Sequence, residues 1–319
     1  MKEKILITGC CGMMGSHMVD YYHAKGETIY GTFYKPTTDL SEFAYKAILQ
    51  ECDVRYFQPL YSILNKLRPG VIYHLAAQSY PTVSILRPQE TFEINVTGTI
   101  NVFESVKEIR RIDPSYDPVV VVACSSAEYG ASLTPENVPI REEASLLPLH
   151  PYGVTKVVQD LLSYQYFVSD HIRAIRARIF NTTGPRKVND APSDFVRRAV
   201  QIEKGNEKVL KVGNLGARRA ITDVRDLIQA LISLAEKGRP GEVYNISGSK
   251  VYQINEVVSM IGKIMNREFD IEVDQALIRP TDEPIIYGDS ARLMRDTGWK
   301  QAYSLEQTLS DMIAYWRAK

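Results

Sequence analysis

Two residues four positions apart, Tyr152 and Lys156 in Pro151-Tyr-Gly-Val-Thr-Lys156, carry the plainest chemistry in this chain. On a helix they are neighbours on one face. A free tyrosine titrates near 10 and is a poor base at neutral pH. An ammonium about 5 Å away contributes on the order of 3 kcal/mol at an effective dielectric of about 20, drawing the phenol toward phenolate. Such a pair is suited to exchanging a proton with an alcohol or ketone oxygen. The spacing alone fits a surface pair equally well. A second stretch, Thr8-Gly-Cys-Cys-Gly-Met-Met-Gly15, narrows the reading. Gly9, Gly12 and Gly15 follow a short apolar run and open a helical pattern. Glycine there permits a tight turn and lets the backbone approach a pyrophosphate, while free N–H groups at the helix start add positive partial charge. Together the two stretches imply hydride transfer with a nicotinamide dinucleotide.

Further positions refine this expectation. The run Val119–Cys124 ends in Ser125-Ser126-Ala127-Glu128-Tyr129-Gly130, and ligands gather at the carboxyl ends of parallel strands. A hydroxyl there can orient the substrate oxygen; a turn-forming serine pair is the alternative. A carboxylate after the second strand would bind the ribose 2′-OH of NAD. That region reads Thr32-Phe33-Tyr34-Lys35, with no acid before Asp39, so Lys35 is expected to meet a 2′-phosphate. The cofactor is accordingly expected to be NADP(H), with NAD(H) as the alternative. Asp53, after Cys52 near the end of a third strand, is a candidate acceptor for adenine.

These residues need a scaffold. Apolar runs at Lys4–Thr8, Thr28–Phe33, Val71–Leu75, Val119–Cys124 and Ala174–Ile179 alternate with helical patterns near Met13–Lys25, Ser62–Leu67, Gln89–Arg110 and Pro151–Asp170. Nearly continuous apolar strands alternating with helices predict a parallel sheet covered on both faces, an α/β doubly wound (Rossmann) fold. After Asn181 the texture becomes loop-rich. A helix near Ser193–Lys204, a strand at Val209–Val212, a helix capped by Thr222 and running to about Lys237, a strand at Glu242–Ile246, and helices Asn255–Met265 and Leu305–Arg317 follow. The expected division is 1–181 plus 221–247 for the dinucleotide and a smaller α/β lobe, 182–220 plus 248–319, for substrate.

Composition excludes other classes. Thirty-eight basic residues balance 38 acidic ones among 319, so no long-range field favours nucleic acid or an anionic membrane. No segment approaches the roughly 20 apolar residues that cross a bilayer. Four cysteines without paired CxxC spacing disfavour a zinc site and fit a reduced, cytoplasmic setting; no metal is expected.

The chain resembles the extended short-chain dehydrogenase/reductases that act on nucleotide sugars, over nearly its whole length. The resemblance rests on TGCCGMMG, HLAAQS at His74–Ser79, Asn95 in NVTGT, SSAEYG, PYGVTK and FNTTGPR at Phe180–Arg186. It extends through VGNLGARRAITDVRD (Val212–Asp226), GEVYNISG (Gly241–Gly248) and LIRPTDEP (Leu277–Pro284), where it is nearest to the branch of GDP-4-keto-6-deoxymannose reductases and GDP-mannose 4,6-dehydratases. It implies Tyr152 as catalytic acid/base, Lys156 as its activator and a ribose contact, and Ser125 as the catalytic hydroxyl. For the cofactor it implies contacts from Gly9, Gly12, Met13, Met14, Gly15, Tyr34, Lys35, Asp53 and Val54. Leu75, Ala76, Ala77, Asn95 and Ile179 complete that set, with Tyr152 and Lys156. For a nucleotide-sugar substrate it implies Ser79, Ser84, Ser126, Ala127, Glu128, Asn181, Arg186, Val212, Asn214 and Glu283, with Arg219 and Arg279 on the diphosphate. Guanidinium forks independently suit phosphate oxygens. A homodimer through Gln89–Arg110 and Pro151–Asp170 is also implied, with a tetramer as the alternative; the apolar positions Val157, Val158, Leu161 and Leu162 fit that interface and internal packing equally.

Two departures shape the expected activity. The 4,6-dehydratases of this family place a glutamate two residues after the catalytic hydroxyl, where this chain has Ala127. Glu128 is adjacent, but one step along an extended segment points a side chain the other way. Ala220 stands where relatives carry an aspartate. The expectation is an NADPH-dependent keto reduction; a dehydratase or 4-epimerase that recycles its cofactor is the alternative. A non-catalytic dinucleotide sensor would have lost Ser125, Tyr152 or Lys156, and all are present.

Overall fold

The computed structural model describes residues 4–278 and 283–319. Seven strands form one sheet in the spatial order Val243–Ile246, Arg173–Ile179, Val119–Ser125, Val71–His74, Ile5–Thr8, Ile29–Phe33 and Ile48–Glu51. Every neighbouring pair is parallel. The chain therefore reverses direction of growth between Ile5–Thr8 and Val71–His74, the crevice where ligands bind in such sheets.

The pleat explains why the strands read as continuous apolar runs. Val119, Val121 and Ala123 pack on one face with helices Met13–Ala24 and Val224–Lys237. Val120, Val122 and Cys124 pack on the other with Phe57–Leu67, Gly98–Ile112 and Pro151–Asp170. Alternate side chains point to opposite faces, and here both faces are covered. Each fully buried valine contributes about 1.5–3 kcal/mol. A third core joins helices Ala191–Glu203, Ile254–Met265 and Leu305–Arg317 around Leu210 and Val212.

The expected strands appear within a residue of their predicted ends. Three expectations are corrected. The helix expected at Ser62–Leu67 begins at Phe57. The segment expected as one helix, Gln89–Arg110, is helix Pro88–Phe92, a π turn at Glu93–Thr97, and helix Gly98–Ile112. Helix Val224–Lys237 is capped by Asp223, whose carboxylate accepts the Arg225 N–H, because Thr222 is drawn into a short parallel pairing with Thr182. Among the described residues no helix is long and apolar enough to cross a membrane.

Candidate active site

The glycine loop owes its shape to contacts that only glycine allows. Gly9 has φ +69, and a Cβ there would lie 2.7 Å from Ala76 Cα. Gly12 is the N-cap of helix Met13–Ala24 and offers no side chain to its first N–H groups. A Cβ on Gly12 would meet only Gly9 O at 3.4 Å and Thr37 Oγ1 at 4.0 Å, so its absence leaves that space to the cavity. Free N–H groups facing an open glycine loop suit a pyrophosphate. The residues present fit a dinucleotide.

The catalytic helix Pro151–Asp170 starts with Pro151 after His150, whose Nδ1 accepts the Gly153 N–H at 3.1 Å. A Cβ on Gly153 would lie 2.6 Å from the Ala127 carbonyl oxygen, so glycine lets this helix abut the serine turn. Ser84 holds the same helix from another side: its hydroxyl donates to Pro81 O at 2.6 Å and accepts the Tyr152 N–H at 3.0 Å. Ser125 ends its strand and caps the turn Ser126–Glu128, accepting the Ala127 N–H at 3.2 Å.

One cavity of about 570 Å³ joins these elements. Gly9, Gly12, Met13, Met14, Gly15, Tyr34, Lys35, Asp53, Val54, Leu75, Ala76, Ala77 and Ile179, all expected cofactor contacts, line part of it. Ser79, Ser125, Ser126, Ala127, Tyr152, Lys156, Asn181, Arg186 and Glu283 line the remainder. Lys35 takes a left-handed backbone, φ 51, with its ammonium 5.2 Å from the Tyr34 ring centroid. Asp53 is gripped by Arg55 at 2.6 Å; burial pushes its carboxyl upward, but the Arg55 hydrogen bonds prevail and hold it below the usual range.

The electrostatics of the reactive pair differ from expectation. Lys156 is 3 % exposed, donates to Ala123 O at 2.8 Å, and burial lowers it to about 8. Burial raises Tyr152 to about 12, against a lowering contribution from the Ser125 hydroxyl. Without a cofactor the phenol is thus not drawn toward phenolate: burial and the nearby Glu128 raise it, and the ammonium stands 5.6 Å from the phenol ring centroid, engaged by a carbonyl.

Several expected contacts lie elsewhere. Asn95, on the π turn, is fully buried and does not line the cavity; it accepts the Gln78 N–H at 2.8 Å and donates to Thr155 at 2.9 Å, tying the cavity wall to the catalytic helix. Ser84 is likewise buried behind the helix. Glu128 is fully buried beneath the serine turn, 3.1 Å from Arg178. Arg186 reaches the wall, with its guanidinium bound by Asp20 at 2.6 Å and Glu42 at 2.9 Å. Val212 is buried in the third core, and Asn214 accepts the Gly216 N–H at 3.0 Å. Arg219 donates to Glu283 O at 2.8 Å from a small sheet beside the cavity and does not line it. Arg279 lies outside the described residues.

The cavity also contains residues that motif reading missed. Cys11, Thr37, Gln78, His150, Lys187 and Asn189 all line it. His150 was signalled by its place before Pro151 at a helix start, and Cys11 and Gln78 by lying within TGCCGMMG and HLAAQS; Thr37, Lys187 and Asn189 sit on loops without a local pattern. His74, opening HLAAQS, is lowered to about 3 by burial and hydrogen-bonds Thr8 at 2.8 Å, so it is a neutral strut.

The family model described as GDP-mannose 4,6 dehydratase matches residues 6–312. The GDP-6-deoxy-D-mannose reductase of Pseudomonas aeruginosa is 26% identical over 100% of this chain and 99% of its own. Human GDP-mannose 4,6 dehydratase is 23% identical over 97% of this chain and 90% of its own. Among solved structures, RMD from Pseudomonas aeruginosa complexed with NADPH superposes with a TM-score of 0.83 at 24% identity, covering 99% of both chains. The Thermotoga maritima UDP-glucose 4-epimerase with UDP-glucose superposes with a TM-score of 0.89 at 21% identity, covering 99% of both chains.

Proposed function

Because the chain belongs to the GDP-mannose 4,6 dehydratase family, we propose that it is an NADPH-dependent reductase of a nucleotide-linked 4-keto sugar, GDP-linked by its likeness to GDP-6-deoxy-D-mannose reductase. The observation that carries this reading is the serine turn. Ala127 lines the cavity where the dehydratases' glutamate is expected, and Glu128 is buried against Arg178. Ser125, Tyr152 and Lys156 remain, which is the equipment of a keto reduction without elimination.

In this reading NADPH, held by the glycine loop and Lys35, supplies the hydride to the keto carbon. Ser125 donates a hydrogen bond to the keto oxygen and orients it. Tyr152, protonated at neutral pH, delivers the proton that makes that oxygen a hydroxyl. Lys156 supplies positive charge beside the phenol as the proton leaves. Residues 1–181 plus 221–247 serve the cofactor; 182–220 plus 248–319 serve the nucleotide sugar.

We also propose a cytoplasmic homodimer. Val154, Leu161 and Val168, seven apart on helix Pro151–Asp170, are 38%, 55% and 51% exposed, an apolar stripe suited to a second copy. Leu162 leans on the inner core instead.

The deciding experiment supplies GDP-4-keto-6-deoxymannose and NADPH and follows both. A reductase consumes them one for one. A dehydratase or epimerase, which returns its hydride to its own substrate, leaves the NADPH unconsumed, and that result overturns the reading.

A further inference from the structure

We propose that the adjacent thiols of Cys10 and Cys11 form a modification site, at which a hydroperoxide makes an intrachain disulfide that disables the dinucleotide loop and from which bound dinucleotide shields them. The consequence for binding rests on the dinucleotide reading of the cavity; the thiol chemistry does not.

The two sulfurs lie 3.6 Å apart, so ring closure requires them to approach by about 1.5 Å. Cys11, 2 % exposed, lines the cavity while Cys10 lies fully buried behind it, so a small oxidant is expected to meet Cys11 first when no dinucleotide fills the cavity. Among the described residues Cys52 and Cys124 have no thiol within bonding reach. The hydrogen bond between the two thiols favours one thiolate of the pair, and the direction is downward for Cys11, the partner that lines the cavity.

The chemistry balances. The Cys11 thiolate attacks one peroxide oxygen, the O–O bond breaks, and an alcohol or water leaves with the proton, giving a sulfenic acid. The Cys10 sulfur then attacks the Cys11 sulfur, an S–S bond forms, the S–O bond breaks and water leaves. Both thiols are oxidised and the hydroperoxide is reduced.

Ring closure does not leave the loop unchanged. Neighbouring Cα atoms stand about 3.8 Å apart, below the usual span of a disulfide, so the eight-membered ring distorts its peptide. The backbone on either side of that peptide is held in place. A Cβ on Gly15 would lie 2.5 Å from Cys10 Cα, and one on Gly31 would lie 2.4 Å from Cys10 Sγ. Cys10 N–H donates to Thr32 O at 3.0 Å, and Cys11 O accepts the Thr37 and Thr38 N–H groups at 3.2 and 3.1 Å. Distortion therefore reaches the start of helix Met13–Ala24 and the loop carrying Lys35 together. Strain also makes the bond easy to reduce, so the change is reversible by thiols.

The test treats the dinucleotide-free, full-length protein with hydrogen peroxide. The tryptic peptide containing Cys10 and Cys11 should lose two hydrogens and resist alkylation. NADPH binding, read by fluorescence, should fall and return with dithiothreitol, and prior NADPH should prevent both changes. Cys11→Ser and Cys10→Ser should each keep their own untreated NADPH affinity through the exposure. Added oxygen on Cys11 without a disulfide, oxidation confined to Cys52 or Cys124, or a disulfide with unchanged NADPH affinity would overturn the proposal. If the reduced protein fails to bind NADPH at all, the functional reading fails, while the peptide masses still decide the thiol site.

Discussion

The Glu128 carboxylate accepts the main-chain N–H of Ser125 at 2.7 Å, so the acid nearest the reactive hydroxyl faces away from the cavity. Its second oxygen lies 3.1 Å from Arg178 Nε, which also meets Asp160 at 2.9 Å. Asp160 sits one turn beyond Lys156 on the catalytic helix. The serine turn and that helix are thus braced by one guanidinium. Cys124, Glu128 and Asp160 have ligand atoms within 4.8 Å of one another, but Arg178 stands among the carboxylates.

Glu128 is accordingly a positioning residue for Ser125. Glu128→Ala should lower kcat by roughly 10- to 100-fold, as a small displacement of a reactive group does, with NADPH affinity unchanged. Glu128→Gln keeps the acceptor oxygen and should recover most of the rate. In a Ser125→Ala background, Glu128→Ala should cost little more, since its effect runs through that hydroxyl. Additive losses in the cycle would mean that Glu128 acts by stability alone.

The sheet was legible because its strands are covered on both faces and its helices start and stop at ordinary signals. Helix Pro151–Asp170 begins at a proline and was placed to the residue. The pairing of glycine loop and tyrosine–lysine spacing was legible for the same reason: both are short-range patterns on regular elements. What escaped was decided by side-chain partners distant in sequence. Arg186 reads only as a substrate contact, and nothing in its motif shows that Asp20 and Glu42, far upstream, hold it. Asn95 reads as a contact until its bonds to Gln78 and Thr155 are seen. The balance of burial and charge on Tyr152 depends on how deeply the fold sets it, which spacing does not encode.

Lys35 is the cation that lines the cavity at the end of the second strand, where no carboxylate is present before Asp39. Lys35→Ala should weaken NADPH binding by roughly tenfold, about 1.4 kcal/mol, and leave NADH binding unchanged. Titration of both cofactors by fluorescence checks this. Equal losses for both would remove Lys35 from the 2′-phosphate.

Burial places Lys156 at about 8, below the ordinary 10.5. The cation is present below that value and is lost as pH rises through it. Binding that uses the ammonium should weaken above pH about 8, by up to tenfold per unit. The folded state binds fewer protons than the unfolded one between about 8 and 10.5, so stability gains from this lysine over the same range. NADPH dissociation constants measured from pH 7 upward should bend near pH 8 in the native protein and stay flat there in Lys156→Met. An unbent native profile would contradict the assignment.

The account turns on Tyr152 as the group that delivers a proton to the sugar oxygen. The most direct measurement is single-turnover reduction of GDP-4-keto-6-deoxymannose by Tyr152→Phe preloaded with NADPH. The phenyl ring keeps the packing and lacks the proton, so NADPH should bind as in the native protein while its absorbance stays constant after substrate is added. Reduction at a rate near the native one would contradict the account.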